Sequence, residues 1–231
     1  MNYDFPIEVI RSLKSKSAAI EIDDGVVKVV VPQNLSDFRV EELVKNRTVW
    51  IRRQRKIEAE TPSHRAKEYV NGEAFTYLGR NYRLKCVLAS NDEVKLKQGY
   101  LTVTIQSDVS AADQENHIRQ VLKKWYQARA LEKLKEKTKR YSSIIGVTPN
   151  SVNVKEYKAR WGSCSSKGDV SFNWRIIISP HHIVDYIVVH ELCHLLEYNH
   201  GSKYWKQVGS VIPNYEECRN WLKVYGEDLR I

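Results

Sequence analysis

Val188-Val189-His190-Glu191-Leu192-Cys193-His194 holds the pattern HExxH inside a run that is apolar on nearly every side, with Ile183, Val184, Ile187, Leu195 and Leu196 completing it. A helix that is apolar all round is a buried one, so this segment predicts a central helix that other elements must cover. Ser179-Pro180 is its start signal, because proline suits the first helical turn. On such a helix His190 and His194 stand about 40° apart with Cβ atoms about 6 Å from each other, so both imidazoles can reach one metal ion. Glu191 is turned about 100° from His190 and can address a water beside that metal. Polar groups on a buried helix need partners, since an unpaired one costs about 1–3 kcal/mol. Cys193 points away from the histidines and reads as core.

A catalytic zinc keeps three protein ligands and one open position. His200 is the first candidate for the third ligand, and Glu197 the second. Along an unbroken helix His200 would lie about 15 Å from His190, so its use requires the helix to end first. Asn199 and Gly201 predict that end, being residue types that tolerate the left-handed conformation of a helix stop. Glu197 lies on the same face as His194; if it is not a ligand, it is an acceptor that holds an imidazole in its tautomer.

Working outward, Val170, Phe172, Trp174, Ile176 and Ile178 alternate and predict one strand, after another at Val152–Tyr157. Between them, Arg160 to Cys164 is placed to border a cleft, with Arg160 or Asn173 available to steady a developing oxyanion. Ser110 and Asp113 fit a capping box ahead of a long helix. Its inner face carries Ile118, Val121, Leu122, Trp125, Ala128, Leu131 and Leu134, and a solvated face carries Lys123, Lys133, Lys135, Lys137, Lys139 and Arg140. Trp205, Trp221, Leu222 and Tyr225 predict two packed C-terminal helices, the second capped by Asn214 and Glu217.

The first hundred residues read mainly as strands. Ala18–Ile22 and Val26–Val31 flank Asp23-Asp24-Gly25 as a hairpin that Pro32 closes. A helix follows Ser36 through Val40, Leu43, Val44 and Ile51, ends in the basic run Arg52-Arg53-Gln54-Arg55-Lys56, and stops at Pro62. Further strands are expected at Phe75–Tyr77, Tyr82–Leu88, Val94–Leu96 and Leu101–Ile105, with turns at Gly79-Arg80-Asn81 and Gln98-Gly99.

The chain has 231 residues, 42% hydrophobic and 28% charged, which fits a globular protein of one or two domains. No apolar run approaches a membrane span, and Asp4 and Glu8 interrupt the start where a signal peptide would be basic and then apolar. A cytoplasmic protein with no membrane association is expected. Cys86, Cys164, Cys193 and Cys218 form no CxxC pair and read as reduced thiols. The net charge of +9 divides as +4 over residues 1–105, +6 over 106–160 and −1 over 161–231. Its basic runs predict at most weak, sequence-independent polyanion or nucleic-acid binding by the N-terminal and long-helix surfaces, away from the metal.

Arg160-Trp161-Gly162-Ser163-Cys164-Ser165, Phe172-Asn173-Trp174-Arg175, Asp185-Tyr186 ahead of HExxH, and Asn199-His200-Gly201-Ser202 before Tyr204-Trp205 form a set. Together with Gly72-Glu73 and Tyr77-Leu78-Gly79-Arg80-Asn81-Tyr82, this set resembles the YgjP-like family of zinc metallopeptidases over nearly the whole chain. Its relatives are the SprT-like and minimal zincin domains. The resemblance implies a compact zincin domain with His190, His194 and His200 as zinc ligands and Glu191 as catalytic glutamate. Glu197 stands where the metzincins have the glycine of their turn, and scattered cysteines cannot form the DNA-binding zinc ribbon common in SprT-like proteins.

The expectation is an α+β protein, with a mostly β N-terminal domain over 1–105 and a zincin-like metallopeptidase domain over 106–231. It would bind one zinc ion per chain and hydrolyse peptide or protein substrates, with Glu191 as general base. The same residues admit two other readings: a metal-dependent hydrolase of nucleotide phosphoanhydrides, and a nucleic-acid-associated module whose zinc is structural.

Overall fold

Valine alternation organises the first part of the chain. The computed structural model describes residues 3–12, 18–23, 25–60, 67–106, 109–110 and 112–231, and the chain separates into two units, Met1–Arg65 and Ala66–Ile231. In the first, β1 (Ile7–Ser12), β2 (Ala19–Asp23) and β3 (Val26–Pro32) form a sheet in the order β1-β3-β2. Val27, Val29 and Val31 leave β3 on one side and are buried with Phe5 and with Val40, Val44 and Ile51 of α1 (Asp37–Glu60). β2 and β3 pair antiparallel, as the hairpin reading expects, while Asp24 and Pro62 lie outside the described residues. β1, parallel to β3, is not legible in the sequence: its apolar Val9 and Ile10 are exposed, so no buried face imposes an alternation. Arg52 pairs with Asp4 at 3.1 Å and Arg55 donates to the Gly25 carbonyl at 3.0 Å, so part of the basic run is used within the unit.

In the larger unit, β4 (Ala74–Tyr77), β5 (Arg80–Ala89), β6 (Glu93–Lys97) and β7 (Tyr100–Gln106) form a sheet in the order β4-β5-β7-β6. Leu84, Leu101, Val103 and Ile105 of this sheet share one core with Ile118, Leu122 and Tyr126 of α2 (Gln114–Ile145). The boundary expected at 105/106 therefore falls inside a core, because α2 is the cover for the apolar face of the sheet. The Tyr126 hydroxyl also donates to the Thr76 carbonyl at 2.9 Å.

The buried stripe of α2 is Ile118, Leu122, Tyr126, Ala130, Leu134 and Thr138, a ladder of four-residue steps. Ala128, expected inside, is exposed; a lone methyl group costs little in water and is a poor marker of a face. Lys137, expected on the solvated face, is mostly buried and pairs with Asp185 at 2.6 Å. Ser110 and Asp113 bond to each other, with the Asp113 N–H donating to Ser110 Oγ at 3.2 Å, but they form a turn before the helix and do not cap it by side chain.

β8 (Ser151–Lys155), β9 (Gly162–Cys164) and β10 (Asp169–Asn173) form a third sheet in the order β8-β10-β9. The strand expected to reach Ile178 ends at Asn173, and Trp174–Ile178 is a 3-10 turn. Trp174, Ile176, Ile177 and Ile178 are all buried, so no solvent face sustains the strand, and the Asn173 side chain accepts the Arg175 N–H at 3.2 Å to start the turn. The β4–β5 turn sits at Leu78-Gly79, both at positive φ, one residue before its expected place. It docks here: Leu78 N–H donates to the Ile177 carbonyl at 2.8 Å, and a Cβ on Gly79 would stand 2.8 Å from Pro180 Cα. That contact anchors the entry to α3 (His181–Cys193), which α4 (Ser202–Val211) and α5 (Tyr215–Tyr225) follow. Asn214 does not cap α5 with its side chain, which lies 3.5 Å from the Glu217 carboxylate. Among the described residues no helix is long and apolar enough to cross a membrane.

Candidate metal centre

His190 and Glu191 lie in the last turn of α3, and His194 is the first residue past it. Ile183, Val184, Ile187, Val188, Val189, Leu192 and Cys193 are all buried, as an all-round apolar helix requires. The helix stops at Cys193 and not at Asn199. Leu195 N–H donates to the Leu192 carbonyl and Leu196 N–H to the Cys193 carbonyl, three-residue bonds that tighten the end of the helix. Gly201 is extended, with φ −80° and ψ −176°, and Asn199 is not at positive φ, so the expected left-handed stop is not used.

The loop returns His200 to the helix. Its Nε2 lies 3.3 Å from His190 Nε2, and His190, His194 and His200 each offer a ligand atom within 4.8 Å of the others. Two nitrogens on a tetrahedral zinc at about 2.1 Å stand about 3.4 Å apart, so the spacing suits such an ion. His194 Nδ1 lies 3.2 Å from the Glu197 carbonyl. A carbonyl only accepts, so Nδ1 carries the proton and Nε2 keeps its lone pair for the cluster. Glu197 therefore acts on His194 through its backbone, and its carboxylate is not part of the group.

Burial, followed by the neighbouring His194 and His200, lowers the pKa of His190 to about 3. Burial also lowers those of His194 and His200. Neutral imidazole is the form that binds a metal. His190 Nδ1 is buried with no hydrogen-bond partner, a polar atom left over in an otherwise packed place.

Aromatic rings hold the cluster. Tyr204 is fully buried, stacks on His194 at 4.7 Å, meets His200 edge-on at 4.7 Å, and donates its hydroxyl to the His190 carbonyl at 2.9 Å. Trp205 stacks on His200 at 5.5 Å; Tyr215 stacks on Trp205 at 5.1 Å, and the Arg219 guanidinium lies 5.1 Å from the Trp205 ring. The sequence reads Trp205 as helix packing and names Tyr204 and Trp205 otherwise only within the family resemblance, with no role at the metal. A tyrosine opening an amphipathic helix reads as core, and its place four residues after His200 is the local signal for more.

Glu191 is 4% exposed, and burial raises its carboxyl to about 8, with the Arg160 charge acting in the opposite direction. It borders a cleft of about 320 Å³ with His190, Arg160, Trp161, Gly162 and Arg219 among its lining. Arg160 thus reaches the cleft, as expected. Asn173 does not act there: its amide donates to the Tyr157 and Arg160 carbonyls at 3.0 and 3.2 Å and fixes the loop that presents Arg160.

No curated protein matches the chain. Among solved structures it is similar to the metallopeptidase zymogen abylysin of Pyrococcus abyssi, with 22% identity and a TM-score of 0.36 over 39% of this chain and 93% of that one. A family model described as the YgjP-like metallopeptidase domain matches residues 16–225, nearly the whole sequence, and the chain therefore belongs to the YgjP-like family.

Proposed function

We propose that this chain is a zinc-dependent peptidase whose ion is held by His190, His194 and His200. The observation that carries this reading is the convergence of three imidazoles, with ligand atoms within 4.8 Å of one another, beside the buried carboxyl of Glu191. When bound, zinc supplies Lewis acidity toward a carbonyl oxygen and toward water. Glu191 takes the proton of the attacking water at its carboxylate and returns it to the nitrogen of the leaving amine. Burial, the larger effect, draws Glu191 toward its neutral form; the Arg160 charge, and the charge of the metal when bound, draw it back toward the carboxylate that this step needs, and Trp161 and Gly162 line the cleft on that side. A structural zinc would need a fourth protein ligand, and among the described residues the group has three. Peptide hydrolysis by the zinc-loaded chain tests the reading. Glu191→Gln should retain the metal and lose at least about a hundredfold in turnover, the usual contribution of a positioned acid-base group; unchanged turnover would sink the assignment.

A further inference from the structure

Next to the cleft lies a second cavity of about 440 Å³, and the two share Arg160, Trp161, Leu222 and Lys223 as a common wall. Lys158, Arg160, Arg175, Lys223 and Arg230 line this cavity against one acid, Glu227. Arg175 is 3.1 Å from Glu156, and Arg230 spends only its Nε on the Glu227 carbonyl at 2.8 Å. Among the described residues, no carboxylate forms an ion pair with Lys158 or Lys223, and the Arg160 charge faces Glu191 across the shared wall. A concave wall of one charge sign concentrates the field and attracts the opposite sign.

We propose that this cavity is a substrate subsite that takes peptide carboxylates, from acidic side chains or from a free C-terminus, to one side of the bond that is cleaved. The inference rests on the peptidase reading. The wall shared with the cleft sets it beside the path a peptide follows past Glu191, and the cations other than Arg175, which Glu156 already pairs, give that side a preference for acidic sequence.

Two measurements on the full chain test it. Fluorescence anisotropy compares binding of a peptide with Glu-Glu beside its central bond, its Gln-Gln counterpart, and free-acid and amidated forms of each, to metal-free and zinc-loaded protein; kcat/KM is then measured on the same set. The carboxylate-bearing peptides should bind and react about tenfold better, through KM and not kcat, the size expected of two or three partly exposed ion pairs. The advantage should shrink toward one at about 0.5 M salt, where the Debye length is only a few Å. Lys158→Glu with Arg230→Glu, and Lys158→Gln with Arg230→Gln as the milder pair, should abolish it. Lys135→Glu with Lys139→Glu, an equal charge change on exposed positions of α2, should keep it. A preference for free acids alone supports the subsite and assigns it to the C-terminal carboxylate. Equal binding of charged and neutral peptides, or loss of preference in the α2 control pair, overturns the proposal. Selective binding of acidic peptides with no cleavage of any supports the subsite and overturns the peptidase reading instead.

Discussion

Gly162 lies against Glu191 so closely that a Cβ on Gly162 would stand 2.5 Å from Glu191 Oε1 and 2.6 Å from its Cγ. β9 pairs with β10 in the register Phe172↔Gly162, which holds that backbone in place. The missing side chain is the space that the carboxyl occupies.

Gly162→Ala should therefore displace the Glu191 carboxyl without an unfavourable backbone conformation, since Gly162 is not at positive φ. Overpacking of this kind costs about 1–3 kcal/mol. Zinc content should stay at one per chain while turnover falls about a hundredfold, the same loss as removal of the base. Wild-type turnover in a folded, zinc-loaded Gly162→Ala protein would show that the carboxyl does not need this position.

His200→Ala and Glu197→Ala separate the two candidates for the third ligand. His200 Nε2 is 3.3 Å from His190 Nε2, whereas Glu197 meets His194 through its carbonyl, which alanine retains. Metal analysis after dialysis should show zinc lost from His200→Ala and kept by Glu197→Ala. The reverse pattern would exchange their roles.

Tyr204→Phe keeps the ring that packs on His194 and removes the hydroxyl that donates to the His190 carbonyl. The lost hydrogen bond should cost about 1 kcal/mol of stability. Because the hydroxyl fixes the helix turn that carries His190, zinc affinity should fall about tenfold, as for other partners of ligand residues. Chelator competition measures this, and an affinity equal to wild type would reduce Tyr204 to packing.

Lys137→Ala leaves the Asp185 carboxylate, 18% exposed, without the cation it pairs with. The pair is largely but not fully shielded, at 12% and 18% exposure, so losing one partner should cost about 1–3 kcal/mol. Lys133→Ala, which breaks the more exposed pair with Glu136, should leave the denaturant midpoint almost unmoved, because water screens that pair. Denaturant midpoints that move equally in both variants would show that the Lys137–Asp185 pair does not tie α2 to α3.

Local periodicity carried the strands well, because one half-buried face imposes alternation residue by residue. Val27, Val29 and Val31 are the clearest case, and the Gln98-Gly99 turn is where it was expected, with φ of 51° and 80°. Where both faces are covered, alternation ceases to mean strand: Trp174 to Ile178 kept the pattern but coils into a 3-10 turn inside the core. β1 failed for the opposite reason, having almost no covered face.

The sequence by itself determined the HExxH helix and the pairing of His190 with His194, because four residues on a helix make one turn and the apolar residues around them require burial. Only the tertiary structure decided how His200 returns, since that depends on a loop exit at Cys193, on the Glu197 carbonyl, and on the rings of Tyr204 and Trp205 from the following helix. Charge followed the same division. The last third of the chain is net −1, yet folding brings its Arg175, Lys223 and Arg230 together with Lys158 and Arg160 around one cavity beside the cleft. Net charge sums along the chain, whereas a field depends on which side chains share a wall, and that is settled only when distant elements pack.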